Sequence, residues 1–287
     1  MGCVKINLVR QEKNSGNPGT SRNIGFGISR GKYIFFVDSD DVIMNTALEE
    51  LYSLAEKFNA DVVHTERVLM THSTEKIDIK NCSLGSYNVK EFVTEPTLIT
   101  ENFFERANDL YRHYFDWNVW TKFIRRDFLA ENKIYSPICD GEDLFFTCAI
   151  VCSAKRWLRV PNVTYCYRIL DNSVSHKPHS MENHFKNTLH ALDEGLGYLD
   201  KFLSGRKFFN QNIEAKYLVF FGAFNWMLSF LLEHYQKIPA SQLDELFREE
   251  FAKFKNLNSV AAFLFNRMNL FQINFLQLQR QLTELQK

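Results

Sequence analysis

The stretch YIFFVDSDDVI, Tyr33 to Ile43, decides how the rest of the chain is read. Its first half, Tyr33 to Val37, is a short apolar run with no polar alternation, the pattern of a strand covered on both faces. Three carboxylates follow at once, Asp38, Asp40 and Asp41. In an open α/β sheet, ligands bind outside the carboxyl ends of such strands. Asp38 and Asp40 stand two apart, so on a continuing strand they point to one side. Like charges on one side repel unless a cation lies between them. Oxygen ligands of this kind suit Mg²⁺ or Mn²⁺, which keep open positions for phosphates. A solvated strand-to-helix turn, where Asp is common, is the plainer alternative.

The flanks support a layered α/β reading. VKINLV (Val4–Val9) alternates as a strand does, and QEKNSGNPG is a loop by its Gly, Asn and Pro. Thr20 or Ser21 then caps a short helix carrying Arg22, Asn23 and Ile28 and ending near Gly31. Asn45 caps a second helix through Phe58, and ADVVHTERVLM returns as a strand. Strand, helix, strand, helix, strand predicts parallel neighbours. Val89 to Tyr114 reads as helical, broken at Pro96; Asp143 to Ser153 reads as a helix, and Trp157–Val160 and Val163–Tyr167 as two strands. Beyond His176 the pattern is helical: His184–Phe202, Ile213–Tyr235, Ser241–Phe254 and Val260–Leu285. A boundary near Pro178 divides an α/β part, residues 1–178, from a helical part, residues 179–287.

Composition narrows the function classes. The chain has 287 residues, 45% of them apolar, enough for a sizeable core. Lys plus Arg and Asp plus Glu both total 34, so no bulk field draws in nucleic acid or an anionic bilayer. The six cysteines show no C-x-x-C pair or zinc spacing and read as buried reduced thiols of a cytosolic protein. No leader is visible at Met1–Arg10. The apolar run Tyr217–Leu232 is shorter than the ~20 residues a bilayer requires and reads as a buried helix, with membrane-surface contact as the alternative.

Four further stretches carry chemistry. In SGNPGTSRNIG, Gly16 and Gly19 let backbone N–H groups approach a ligand, and the helix start with Arg22 favours a phosphate. In ICDGEDLFF, Glu142 and Asp143 are either ordinary first-turn acids or a general base for a hydroxyl. His176, in YCYRILDNSVSH, is surface filler or a metal or phosphate partner. Lys122, in WNVWTKFIRR, is a solvated cation or a site residue.

In order, GNPGTSRNIGFGISRGKYIFFVDSDD, VWTKFIRRDFLAENKIY, GEDLFF, then YCYR and SVSH resemble glycosyltransferase family 2, especially bacterial enzymes that build surface polysaccharides. The likeness covers roughly Val4 to His176. It implies a GT-A-like fold, α/β with a mostly parallel sheet, followed by the C-terminal helical region. It further implies an inverting enzyme that moves a sugar from a nucleotide-sugar donor to a glycan or lipid-linked acceptor, in the cytoplasm or peripheral to the inner membrane face. By that likeness Asp40 is the ligand of a divalent Mg²⁺ or Mn²⁺, and Asp38 faces ribose or metal. Asp143 is the base, with Glu142 beside it. Arg22 and His176 contact diphosphate, His176 also being a candidate metal ligand. Asn23 is a substrate-binding candidate, and Trp120 and Lys122 lie near sugar or acceptor. The family opens with a further βαβ unit of roughly 30 or more residues; here only nine residues, Met1 to Val9, come before the Gly-Asn-Pro loop, so the chain reads as N-terminally incomplete, and a binding-only remnant is the rival. A second rival is a haloacid-dehalogenase-like phosphatase with Asp38 as nucleophile.

Overall fold

The computed structural model describes residues 5–72, 79–85, 91–170 and 181–235. Helix α1 is Pro18–Ile28, and its start is set by Asn17, whose Oδ1 accepts Gly19 N at 2.7 Å, with Pro18 at the first helical position. The Asn-Pro pair therefore wins over Thr20 and Ser21 as the cap. Residues 5–9 form no strand: Ile6 is 86% and Leu8 77% exposed, because no neighbouring strand offers the segment a ladder.

Seven strands make one mixed sheet: β1 (Tyr33–Phe35), β2 (Val42–Ile43), β3 (Val62–Thr71), β4 (Ser83–Gly85), β5 (Thr97–Leu98), β6 (Lys122–Arg125) and β7 (Trp157–Arg168). The main order is β1-β6-β3-β7-β2, with β4 on β3 and β5 on β7. Among the described residues only β3 and β7 pair in parallel, and the other pairings are antiparallel. The expected parallel run is altered by β6, which lies antiparallel between β1 and β3. Strands β1, β3 and β7 still point one way, so their carboxyl ends share one edge of the fold. Strand β7 is continuous where two strands were expected: Pro161 and Asn162 fall at a register shift against β3, where a bulge accommodates a residue with no N–H.

Helix α2 (Ala47–Lys57) begins after Thr46 rather than Asn45. The helical pattern expected from Val89 materialises only as α3 (Phe103–Tyr111), capped by Asn102, whose Oδ1 accepts Phe104 N at 2.9 Å. After α4 (Arg126–Glu131), helix α5 (Glu142–Val151) starts from Gly141 at φ 68°, a left-handed conformation that glycine adopts without strain. Helices α6 (Met181–Ser204), α7 (Lys207–Gln211) and α8 (Ile213–Tyr235) complete the described chain. Residues 236–287, with the two last expected helices, lie outside it, as does Pro178.

One hydrophobic cluster joins Leu110 of α3 and Phe145 of α5 to Leu192 of α6 and Val219 of α8. The helices past residue 180 thus cover one face of the α/β part. Phe220 and Met227 are buried in this cluster and Phe224 packs against it, so the apolar run of α8 is spent on the core as far as Met227. Among the described residues no helix is long and apolar enough to cross a membrane. Cys82, Cys139, Cys148, Cys152 and Cys166 are free thiols, all but Cys82 buried.

Candidate functional site

Strand β1 ends at Phe35, and the aspartates that follow sit in a turn closed by Asp41 N donating to Asp38 O at 3.1 Å. Strand alternation therefore does not set the directions of Asp38 and Asp40. The turn is held from β7: the Tyr165 hydroxyl donates to Asp41 Oδ2 at 2.7 Å and accepts Asp38 N at 3.1 Å, while Arg168 N donates to Asp41 Oδ1 at 2.7 Å. Asp41 is thus the structural acid of the three. Burial raises its carboxyl to about 6 against the pull of those two donors.

Arg22, projecting from α1, joins this turn to α5. Its Nη1 donates to Glu142 Oε1 at 2.6 Å and to Asp143 Oδ1, and its Nη2 lies 3.5 Å from Asp38 Oδ1. Burial opposes the guanidinium charge, yet Asp143, Glu142 and Asp38 outweigh it and raise the Arg22 pKa. The acids respond in the opposite sense. Burial, then the charge of Asp143, pushes the Glu142 carboxyl above the usual range, and burial together with Asp143 and Asp40 raises Asp38 against the pull of Arg22. Among the described residues Asp40 makes no hydrogen bond or ion pair. Its carboxylate is available to a ligand.

The other expected residues are placed as follows. Asn23 clasps a loop: its Nδ2 donates to Ser136 O at 2.8 Å and its Oδ1 accepts Ser136 N at 2.9 Å, which leaves little for a substrate. Gly19 lacks a Cβ because the Pro137 carbonyl fills that space, and its N–H is used by Asn17, so both features serve packing rather than a phosphate. Trp120 is buried, stacked on Tyr165 with ring centroids 4.6 Å apart and on Tyr167 at 5.6 Å. Lys122 is fully buried, its ammonium bonded to Asp116 O, Asn118 O and Thr121 Oγ1, so neither residue presents the open contact to sugar that was expected. His176 lies outside the described residues. Tyr165 had no role assigned from sequence; the alternation of Tyr165 and Tyr167 in YCYR, which puts both rings on one face, was the available signal.

Among the described residues no group of three or more His, Cys, Asp and Glu side chains converges as a metal site. The donor set nevertheless fits a hard cation of the Mg²⁺ kind, which takes one or two carboxylates and completes its shell with water and substrate phosphate. Asp40 and Asp38 are the carboxylates concerned, and the acids of this edge exceed the charge of Arg22.

Residues 3–120 match the family model described as glycosyl transferase family 2. Over that stretch the chain is similar to glycosyltransferase family 2. Among curated proteins it is 24% identical over 173 residues to the succinoglycan biosynthesis protein ExoO of Rhizobium meliloti (strain 1021), covering 60% of this chain and 47% of that one. It is 26% identical over 222 residues to the cholesterol galactosyltransferase of Borreliella burgdorferi, covering 77% of this chain and 58% of the other. A crystal structure of S. aureus TarS, residues 1–349, superposes with a TM-score of 0.51 at 19% identity, covering 77% of this chain and 54% of that one. That likeness shows the fold, α/β of the GT-A kind. The chain spans about half the length of the curated relatives it matches.

Proposed function

We propose that this chain is a family 2 glycosyltransferase that moves a sugar from a nucleotide-diphosphate donor to the hydroxyl of a glycan or lipid-linked acceptor, with inversion, at the edge formed by Asp38–Asp41 and Glu142–Asp143. The reading keeps to an acceptor hydroxyl, the group that a growing glycan and a sterol have in common. The observation that carries it is Arg22, which contacts Glu142, Asp143 and Asp38 together and so brings two acid pairs, far apart in sequence, to one place.

In this mechanism Asp40 and Asp38 would hold Mg²⁺ or Mn²⁺, which would supply Lewis-acid neutralisation of the departing diphosphate. Asp143 accepts the proton of the acceptor hydroxyl as that oxygen attacks C1 of the sugar from the face opposite the diphosphate. Arg22 orients the Asp143 carboxylate for this task, and Glu142, whose raised pKa favours its protonated form, limits the negative charge beside the base. The reaction takes place on the cytoplasmic side, peripheral to the membrane where the acceptor is lipid-linked.

Calorimetric titration of a panel of nucleotide-diphosphate sugars with Mn²⁺ tests this reading. Binding that Asp40→Ala abolishes, with turnover that Asp143→Asn abolishes, is the expected result. Binding without any transfer or hydrolysis would support a binding-only remnant, and phosphate release from a simple phosphomonoester would favour the phosphatase.

A further inference from the structure

Lys122 opens β6 with its side chain wholly inside the protein. Its ammonium donates to Asp116 O at 2.7 Å, Asn118 O at 2.6 Å and Thr121 Oγ1 at 3.1 Å. Burying an ammonium is costly unless it is paired and fully bonded. Here the charge is answered by Asp116, itself 2% exposed. Asp116 Oδ1 in turn accepts Asn118 N at 2.8 Å and Asn118 Nδ2 at 2.7 Å. The loop 116–121 is therefore cross-braced from within by one lysine and one aspartate.

That loop touches both halves of the candidate site through single intermediaries. On one side, Trp120 stacks on Tyr165, whose hydroxyl holds Asp41 Oδ2 and Asp38 N. On the other, Thr147 of α5, one helical turn past Asp143, donates its hydroxyl to Trp117 O at 2.9 Å. Thr65 of β3 fixes the loop to the sheet through Thr121 O at 3.2 Å. All three ammonium hydrogens of Lys122 have acceptors inside the fold, so the residue serves the site without touching a substrate.

We propose that Lys122 is a positioning residue: by clasping the 116–121 loop it sets the spacing between the Asp38–Asp41 turn and the Glu142–Asp143 pair. This rests on the function proposed above. A misplacement of about 1 Å in such a constellation costs on the order of 100-fold in rate, which is why a buried charge is a tolerable means of fixing it.

A positioning role has a pH signature that a purely structural one lacks. The charged and titratable groups facing Lys122 are Asp116 from its own loop, Asp143 from α5 and His64 from β3, the last 3.8 Å from Asp116 Oδ2. Burial lowers the Lys122 ammonium to about 8, against the opposing pull of Asp116 and Asp143. Above that pH a neutral amine has two donors for three acceptors and leaves Asp116 uncompensated, so the clasp loosens.

The test titrates Mg²⁺ with UDP, GDP or dTDP, whichever the unsubstituted chain binds, at pH 7 and pH 9. The unsubstituted chain should bind about tenfold more weakly at pH 9, following the loss of the ammonium. Lys122→Met should already be weak at pH 7 and show no further fall, while Lys122→Arg, which stays charged, should remove the pH step. Tyr165→Phe keeps the ring stack but cuts the link to Asp38 and Asp41; it should weaken binding roughly tenfold at both pH values and keep the step. Binding by Lys122→Met equal to that of the unsubstituted chain, with the same pH step, overturns the proposal even if its melting temperature falls. Should Lys122→Met not fold, a missing pH step together with unchanged binding by Tyr165→Phe overturns it. If the unsubstituted chain binds none of the nucleotides, the donor reading itself fails before any substitution is made, and the proposal falls with it.

Discussion

Replacing Arg22 by Met removes the cation that the two acid pairs share while keeping most of the volume of its stem. The side chains left behind are 9% exposed for Glu142, 25% for Asp143 and 39% for Asp38. Deleting one partner of a buried ion pair costs about 3–5 kcal/mol, because the other charge stays buried and unpaired. Asp143 and Asp38 are partly solvated, so their share is discounted, giving about 2–4 kcal/mol at pH 8. For a chain of this size that is a fall in Tm on the order of 5–10 °C. The penalty should shrink toward pH 5, since carboxylates without their cation take up protons more readily. Millimolar Mg²⁺ should return part of the loss at pH 8, and should not do so when Asp40→Ala is added. Urea and thermal unfolding at pH 5 and pH 8, with Mg²⁺ or with chelator, measure each part. An Arg22→Met protein within about 1 kcal/mol of the unsubstituted one at pH 8, or equally impaired at both pH values, would refute the claim that this arginine holds the acids together.

Three further outcomes follow from individual groups. Asp143→Asn should lower transfer by about 10²–10⁴-fold while leaving nucleotide binding within a factor of about two, measured as turnover and by calorimetry on the same preparation. Glu142 has its pKa raised in the folded protein, so the stability it contributes is complete below its unfolded pKa and is lost as pH rises through the folded value. Glu142→Gln, which mimics the protonated form, should therefore match the unsubstituted protein at pH 4 and exceed it increasingly as pH rises to 9 in urea midpoint. Arg106 is fully buried and gives its hydrogens to the carbonyls of Thr100, Val151, Ala154 and Lys155, which include the last residue of α5 and the loop beyond it. Arg106→Met should cost about 2–4 kcal/mol by stranding those carbonyls, again by urea midpoint, with no dependence on pH between 5 and 9.

What the sequence made legible was local. A short apolar run ending in aspartates and a Gly-Glu-Asp before an apolar helix are each written in adjacent residues, and the fold places them at the ends of β1 and α5, whereas the helix start expected at Thr20 or Ser21 falls at Asn17-Pro18. Arg22 illustrates what is not local. As the one basic residue near a helix start it read as a phosphate contact, yet three carboxylates reached it first, two of them about 120 positions away in the chain. Trp120 was singled out as an aromatic member of a site, but its stacking partners come from β7, which nothing within its own segment announces, and Lys122 turns inward onto its own loop at Asp116, Asn118 and Thr121. The strand expected at Val4–Val9 failed for the converse reason: its alternation was real, but a strand exists only beside another strand.

The direction of β6 matters more to the site than its membership of the sheet. Phe35, the last residue of β1, pairs with Phe123, the second residue of β6, so the chain enters β6 at the same edge where β1 releases Asp38. Because the two strands run antiparallel, the loop 116–121 that precedes β6 must lie at that edge, beside the carboxyl end of β7 with Tyr165. Had β6 been parallel to β1, its preceding loop would sit at the opposite end, and neither the Trp120–Tyr165 stack nor the Thr147–Trp117 bond could form. The departure from the expected topology is therefore what allows a single braced loop to reach both acid pairs, and it places the burden of their alignment on the residue that opens the reversed strand, Lys122.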